Sequence, residues 1–243
     1  MKLFRLSTIF LSTIFAAALL SGCRHSAPTQ LNAKAFGTQL VEVSGSRQIA
    51  QVGSTLPQPV VLQVNGADGN PVPGALVRLR GDGLQFTPAE ALTDSSGQIS
   101  VAVQLGFNPG DYQLVAETPV AKGSTASLGM REIALGYEQA LGKAVNDQYC
   151  IRCHDRESTA ERVSNFDNLS PAPHEFTDGA TLNRLSDSEL ISIITYGGQA
   201  VGKSPQNPAY GTTLKPAEIR AMVAYIRAIA DPPYQTPGVK YGK

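Results

Sequence analysis

The chain has 243 residues, 42% of them hydrophobic, and its 20 Lys and Arg balance 20 Asp and Glu, so the formal net charge at pH 7 is zero. That length suffices for two modest domains, each with its own core. The even balance excludes the electrostatic footprint of a nucleic-acid-binding protein and a basic helix for an anionic membrane surface.

Lys2 and Arg5 precede an apolar run over residues 9–20, which has the length and flanks of a secretory signal rather than of a membrane-spanning helix. The mature protein is therefore expected to be exported. The run ends in Leu20-Ser21-Gly22-Cys23, which resembles the lipobox of bacterial lipoproteins. The resemblance implies removal of residues 1–22 and lipidation of Cys23 as the new N-terminus, with a lipid of more than one chain strong enough to hold the protein on a bilayer. Arg24 follows, which in that family implies an outer-membrane anchor facing the periplasm or the cell surface. An ordinary signal peptide followed by a free cysteine is the alternative.

Residues 23–37 are polar and without period, so they read as a flexible tether in which His25 is solvated. From residue 38 to residue 134 short β-prone runs alternate with turn clusters. Candidate strands cover residues 40–43, 60–64, 75–79, 99–104 and 112–116, several of them alternating apolar and polar side chains. Between them lie clusters such as Gly66-Ala67-Asp68-Gly69-Asn70-Pro71 and Asp94-Ser95-Ser96-Gly97, whose residue types supply turn dihedrals. Strands at this spacing predict an all-β antiparallel sandwich. The runs from Gly69 to Val77, Thr93 to Gln98 and Pro109 to Tyr112 resemble the bacterial immunoglobulin-like domains of invasin-type surface proteins. This segment has neither Cys nor His, and a spacer or docking module is the expectation for it.

From residue 135 the period becomes helical, with Leu135, Tyr137, Ala140, Leu141, Ala144, Val145 and Tyr149 recurring every three or four residues. This helix runs into Cys150-Ile151-Arg152-Cys153-His154. On a helix the two thiols and the imidazole fall at i, i+3 and i+4 and share a face, the pattern for covalent c-type haem attachment. Each thiol adds across a porphyrin vinyl group and the imidazole reaches the iron. A redox dithiol would want a βαβ setting, and a structural zinc site a second pair of ligands. Exported chains normally use cysteines in disulfides; here one lipid and two thioethers account for all three.

Further on, Ser186-Asp187-Ser188-Glu189 forms a capping box ahead of Leu190, Ile193 and Ile194, and Gly197-Gly198 supplies the stop. A last helix opens at Pro216, with Leu214 and Ile219 as a hydrophobic staple and Ile219, Met222, Val223, Ile226 and Ile229 as its buried stripe, and ends before Asp231-Pro232-Pro233. Residues 232–243 read as a mobile tail.

The order of Gly142-Lys143-Ala144-Val145, the Cys-x-x-Cys-His motif, Phe176-Thr177-Asp178-Gly179, Leu185-Ser186-Asp187-Ser188-Glu189-Leu190, Gly197-Gly198 and Tyr225-Ile226-Arg227 resembles a small monohaem cytochrome c over residues 135–231. The resemblance implies an all-α domain with one covalent haem c on Cys150 and Cys153, His154 as proximal iron ligand, and a close crossing of Gly142 against Tyr225. Two departures stand out. The family commonly has an aromatic residue four before the first haem cysteine, where this chain has Asn146. It usually carries an axial methionine directly before the proline that is Pro208 here, and this chain has Asn207.

The distal side of the iron is expected to be vacant or weakly capped, with Asn207 beside it as a hydrogen-bond donor or poor ligand and His174 as the alternative ligand, while Met222 belongs to the apolar stripe of the last helix. A loop carbonyl near Pro173 is the expected acceptor for the His154 ring N–H. Arg184, Lys203 and Tyr210 are candidates for the haem propionates, with solvated surface positions as the alternative. Together these readings imply a two-domain, membrane-anchored electron carrier of the bacterial cell envelope, working with redox partner proteins rather than turning over a substrate. A haem peroxidase or gas sensor with an open distal site, and an adhesion or scaffold lipoprotein acting through its immunoglobulin-like part, are the competing expectations.

Overall fold

A computed structural model describes residues 32–238; the signal segment, the lipidation site Cys23, His25 and the end of the tail lie outside the described residues. The β-rich part runs through β1 (Gln39–Ser44), β2 (Ile49–Gln51), β3 (Val60–Asn65), β4 (Leu76–Arg80), β5 (Gln85–Thr87), β6 (Glu90–Leu92), β7 (Gln98–Gln104), β8 (Gly110–Pro119) and β9 (Thr125–Leu135). They form two sheets, in the orders β1-β3-β7-β5 and β2-β9-β8-β4-β6. Every pairing is antiparallel except that of β2 with β9. This is the two-layer sandwich of an immunoglobulin-like domain.

Alternation explains the layers. On β3 the side chains of Val60, Leu62 and Val64 are fully buried while those between them are half-buried, and on β7 the buried Ile99, Val101 and Val103 alternate with exposed Ser100 and Ala102. They pack against Val77, Leu79, Leu114 and Ala116 of the facing sheet in one core. At the turn before β7, Asp94 Oδ1 accepts the N–H groups of Ser96 and Gln98 at 2.8 and 3.0 Å, and Gly97 takes the left-handed φ of 71° that closes it.

The five expected strands correspond to β1, β3, β4, β7 and β8. The three-residue strands β2, β5 and β6 are too short to show a period. The longest strand, β9, was missed because Ser127, Gly129, Arg131 and Glu132 interrupt its apolar signal. It pairs with β8 along ten residues, from Gly110–Ala134 to Pro119–Thr125.

The helices are α1 (Tyr137–Val145), α2 (Ile151–His154), α3 (Gly179–Leu182), α4 (Asp187–Ala200) and α5 (Pro216–Ile229), with a π-helical segment over Asn146–Cys150 between the first two. The capping expectations are met locally. Ser186 N–H donates to Glu189 Oε2 at 2.7 Å while Ser186 Oγ accepts from Glu189 N–H, and Lys215 N–H donates to Glu218 Oε2 at 2.7 Å ahead of Pro216. The glycine stop is a break at Gly197, whose φ of 78° is non-helical inside the span of α4. The stripe of α5 is buried as its period predicts, with Met222 fully enclosed.

Helices α1 and α5 cross at Gly142, where an added Cβ would run into the Ala221 carbonyl and meet Tyr225 Cβ at 2.7 Å. Only Gly136 separates β9 from α1, and the boundary expected at residue 135 falls inside the strand. Ile133 and Leu135 are buried in the same cluster as Val145, Met222 and Ile226, so the end of β9 belongs to the helical core.

Candidate haem site

Helix α1, the π-helical segment and α2 form one continuous rail that delivers the Cys-x-x-Cys-His motif. Ile151 N–H bonds to Asn146 O, the i to i+5 reach that widens the turn just before the motif. Cys150, Cys153 and His154 are half-buried, and both cysteines are free thiols. Burial, with Cys153 close by, pushes the Cys150 thiol up to about 12, so it is protonated at neutral pH.

His154 is held on two sides. Its Nδ1 lies 2.6 Å from the carbonyl O of His174, one residue past Pro173, so Nδ1 carries the proton and Nε2 is left as the free lone pair. Its ring stacks on Phe176 with centroids 4.2 Å apart and planes 12° from parallel. Burial lowers its pKa, favouring the neutral imidazole that metals bind. The loop after the motif folds back on the rail. Asn165 N–H donates to Arg152 O at 2.7 Å, Ser164 Oγ–H to Asp155 O at 2.5 Å, and Arg162 pairs with Asp155 at 2.7 Å.

Around this rail lie half-buried apolar residues packed against the helical core, among them Tyr149, Phe176, Leu185, Ile191, Ile194 and Tyr210. Tyr210 N–H donates to Ile194 O at 2.9 Å, its hydroxyl donates to Tyr149 O at 3.1 Å, and its ring meets Tyr149 edge-on at 6.0 Å. Burial first, and then the neighbouring Cys150 and Cys153, raise its pKa. Two free thiols, an imidazole with its outer nitrogen free and a rim of aromatic and aliphatic side chains fit a haem. Among the described residues no cluster of three or more His, Cys, Asp or Glu side chains is disposed to hold a bare metal ion.

The two distal-side candidates differ. His174 turns its carbonyl to His154, its ring pairs with Asp178 at 3.3 Å, and it is exposed. The His174 carbonyl is thus committed to His154 and its ring to Asp178. Asn207 is half-buried in a loop built on the end of α4, its carbonyl accepting from Gly198 N–H at 2.9 Å, where a side chain on Gly197 or Gly198 would collide with it. Of the propionate candidates, Tyr210 spends its hydroxyl on Tyr149, while Arg184 and Lys203 are exposed.

Sequence reasoning missed the stack on His154 and the brace made by Arg227. Its guanidinium reaches Asp187 at 3.0 Å, Leu182 O at 2.9 Å and Leu185 O at 2.5 Å, tying α5 to α3 and to the start of α4.

Residues 138–226 match the model of a family described as cytochrome c oxidase, cbb3-type, subunit III. The helical part is a cytochrome c domain. No curated protein matches the chain. Solved structures align with the sandwich, among them the D0-D1 domain of intimin, 17% identical over 42% of this chain and 50% of that one, with a TM-score of 0.30. Invasin, a bacterial integrin-binding protein, is 19% identical over 40% of this chain and 19% of its own, at a TM-score of 0.30. The adhesin InvE of Yersinia pseudotuberculosis is 14% identical over 40% and 32%, also at 0.30. The chain spans half the length of the intimin fragment, and the sandwich assignment rests on its two sheets. No helix among the described residues is long and apolar enough to cross a membrane.

Proposed function

We propose that this protein is a monohaem c-type cytochrome, anchored in the bacterial cell envelope by a lipid on Cys23, that passes electrons between redox partner proteins. The observation that carries the reading is the motif's geometry: two free thiols and an imidazole on one helical face, with the Nδ1 of His154 already committed to a carbonyl. When bound, the haem supplies an iron that cycles between ferrous and ferric states. This chain's residues do the rest. Cys150 and Cys153 hold the macrocycle by thioethers, His154 presents Nε2, the His174 carbonyl keeps its tautomer, and the apolar rim excludes water. Asn207 stands where relatives place a thioether, and an amide is a weak partner for iron, so the reduction potential lies below that of Met/His-ligated cytochromes.

Protein made in a cell with intact haem maturation should be coloured and heavier by one haem after denaturation, with Cys150→Ser and Cys153→Ser together colourless. Material at its bare mass would overturn the reading. Asn207→Met is expected to raise the potential and produce a methionine-ligated spectrum. Rapid peroxide turnover by the wild-type protein would instead support a peroxidase.

A further inference from the structure

We infer that Phe176 sets the plane of the His154 ring and thereby the orientation of the axial ligand, an inference that rests on the haem reading above. His154 is the last residue of a four-residue helix, and Asp155 beyond it is already extended, at φ −125° and ψ 127°. No further helical turn follows to pack beside the ring. The contact to the His174 carbonyl fixes one ring atom, and a ring held at one atom still tilts about that bond. Phe176 removes the tilt, its ring lying 4.2 Å away and 12° from parallel.

Phe176 is itself braced. Its half-buried ring packs against the helical core cluster. The neighbouring Glu175 pairs with Arg156 at 3.4 Å, and Asp178 N–H donates to Glu175 O at 3.0 Å. Gly179 N–H donates to Asp231 O at 3.0 Å, which ties the far end of this segment to the chain beyond α5. Carbonyl and ring thus come from one anchored stretch, His174 to Phe176, as a two-point clip. Phe176 is a positioning residue acting through His154. A flat face is what the clip requires, and apolar volume alone does not supply it.

The test compares the holoproteins of the wild type, Phe176→Tyr, Phe176→Leu and Phe176→Ala as ferric cyanide complexes, so that the distal ligand is the same in all. The shifts of the haem methyl protons report the imidazole plane. Wild type and Phe176→Tyr are expected to give one set of four methyls in one order. Phe176→Leu and Phe176→Ala should reorder or double that set while mass and helical circular dichroism stay unchanged. Retention of the wild-type order in both would overturn the proposal. A second arm uses the full chain with Cys150→Ser and Cys153→Ser, in which the His154 ring protons should show an upfield ring-current shift that Phe176→Leu abolishes. Absence of that shift overturns the inference even if the wild-type protein carries no haem, whereas a colourless wild type with the shift intact sinks only the electron-carrier reading.

Discussion

Glu132 is fully buried on β9, with Oε2 accepting Gln48 N–H at 2.7 Å and Oε1 left without a partner. Burial first, and then repulsion from Glu42, raises its pKa to about 7. A carboxyl whose folded pKa is raised costs nothing while both states are protonated. The unfolded chain releases its proton first as pH rises, so stability is lost between the ordinary carboxylate range and about pH 7 and stays lost above it. The full cost is about 3 kcal/mol by the shift alone. Glu132→Gln is therefore expected to raise the melting temperature at pH 8 and to leave it unchanged near pH 4, as thermal scans at the two values would show. At this scale the sequence was readable where chemistry is local: Cys150, Cys153 and His154 announce themselves within five residues. Phe176 did not, because it meets His154 from 22 positions away, and no spacing rule links them.

Among the elements, the α1–α5 crossing is the tightest approach in the helical part. Gly142→Ala would press a methyl group on the Ala221 carbonyl, and overpacking of this kind costs about 1–3 kcal/mol. Circular dichroism melts of the holoprotein should show that loss. Arg227 acts across elements, its three nitrogens bonding Asp187, Leu182 O and Leu185 O with a side chain only 8% exposed. Arg227→Ala takes the donor from the Leu185 carbonyl and leaves the Leu182 carbonyl only the Leu185 N–H at 3.2 Å, and a loss of roughly 1–3 kcal/mol in denaturant unfolding is expected. Both α4 and α5 were legible because their caps and stripes are written in adjacent residues. The π-helical segment was not, since no residue period announces the wider turn that the Ile151 N–H closes on Asn146 O.

Across the whole molecule, the sandwich and the haem-binding helices share a core at the end of β9. The alternation of β3 and β7 makes the sandwich legible, whereas the helical period in the sequence begins at Leu135, a residue that serves both parts. It closes the ladder with Gln51 and is buried among α1 and α5 side chains. A residue whose neighbours come from two folds carries the pattern of either. Leu135→Ala should cost about 2–5 kcal/mol as a buried truncation. Haem absorbance and far-ultraviolet signals are expected to fall together in that variant, as in the wild type, because the described residues form one compact unit. Two separate transitions would refute that coupling.

The passage from β9 to α1 through the single residue Gly136, whose N–H is tied to Gln139 Oε1 at 2.7 Å, has a kinetic corollary. There is no swivel at that joint. An exposed edge of the prosthetic group would find a docking partner only by tumbling of the β and α parts together, so encounter frequency would scale with the drag of both. A glycine-serine insertion after Gly136 would be the way to release the smaller part to search alone.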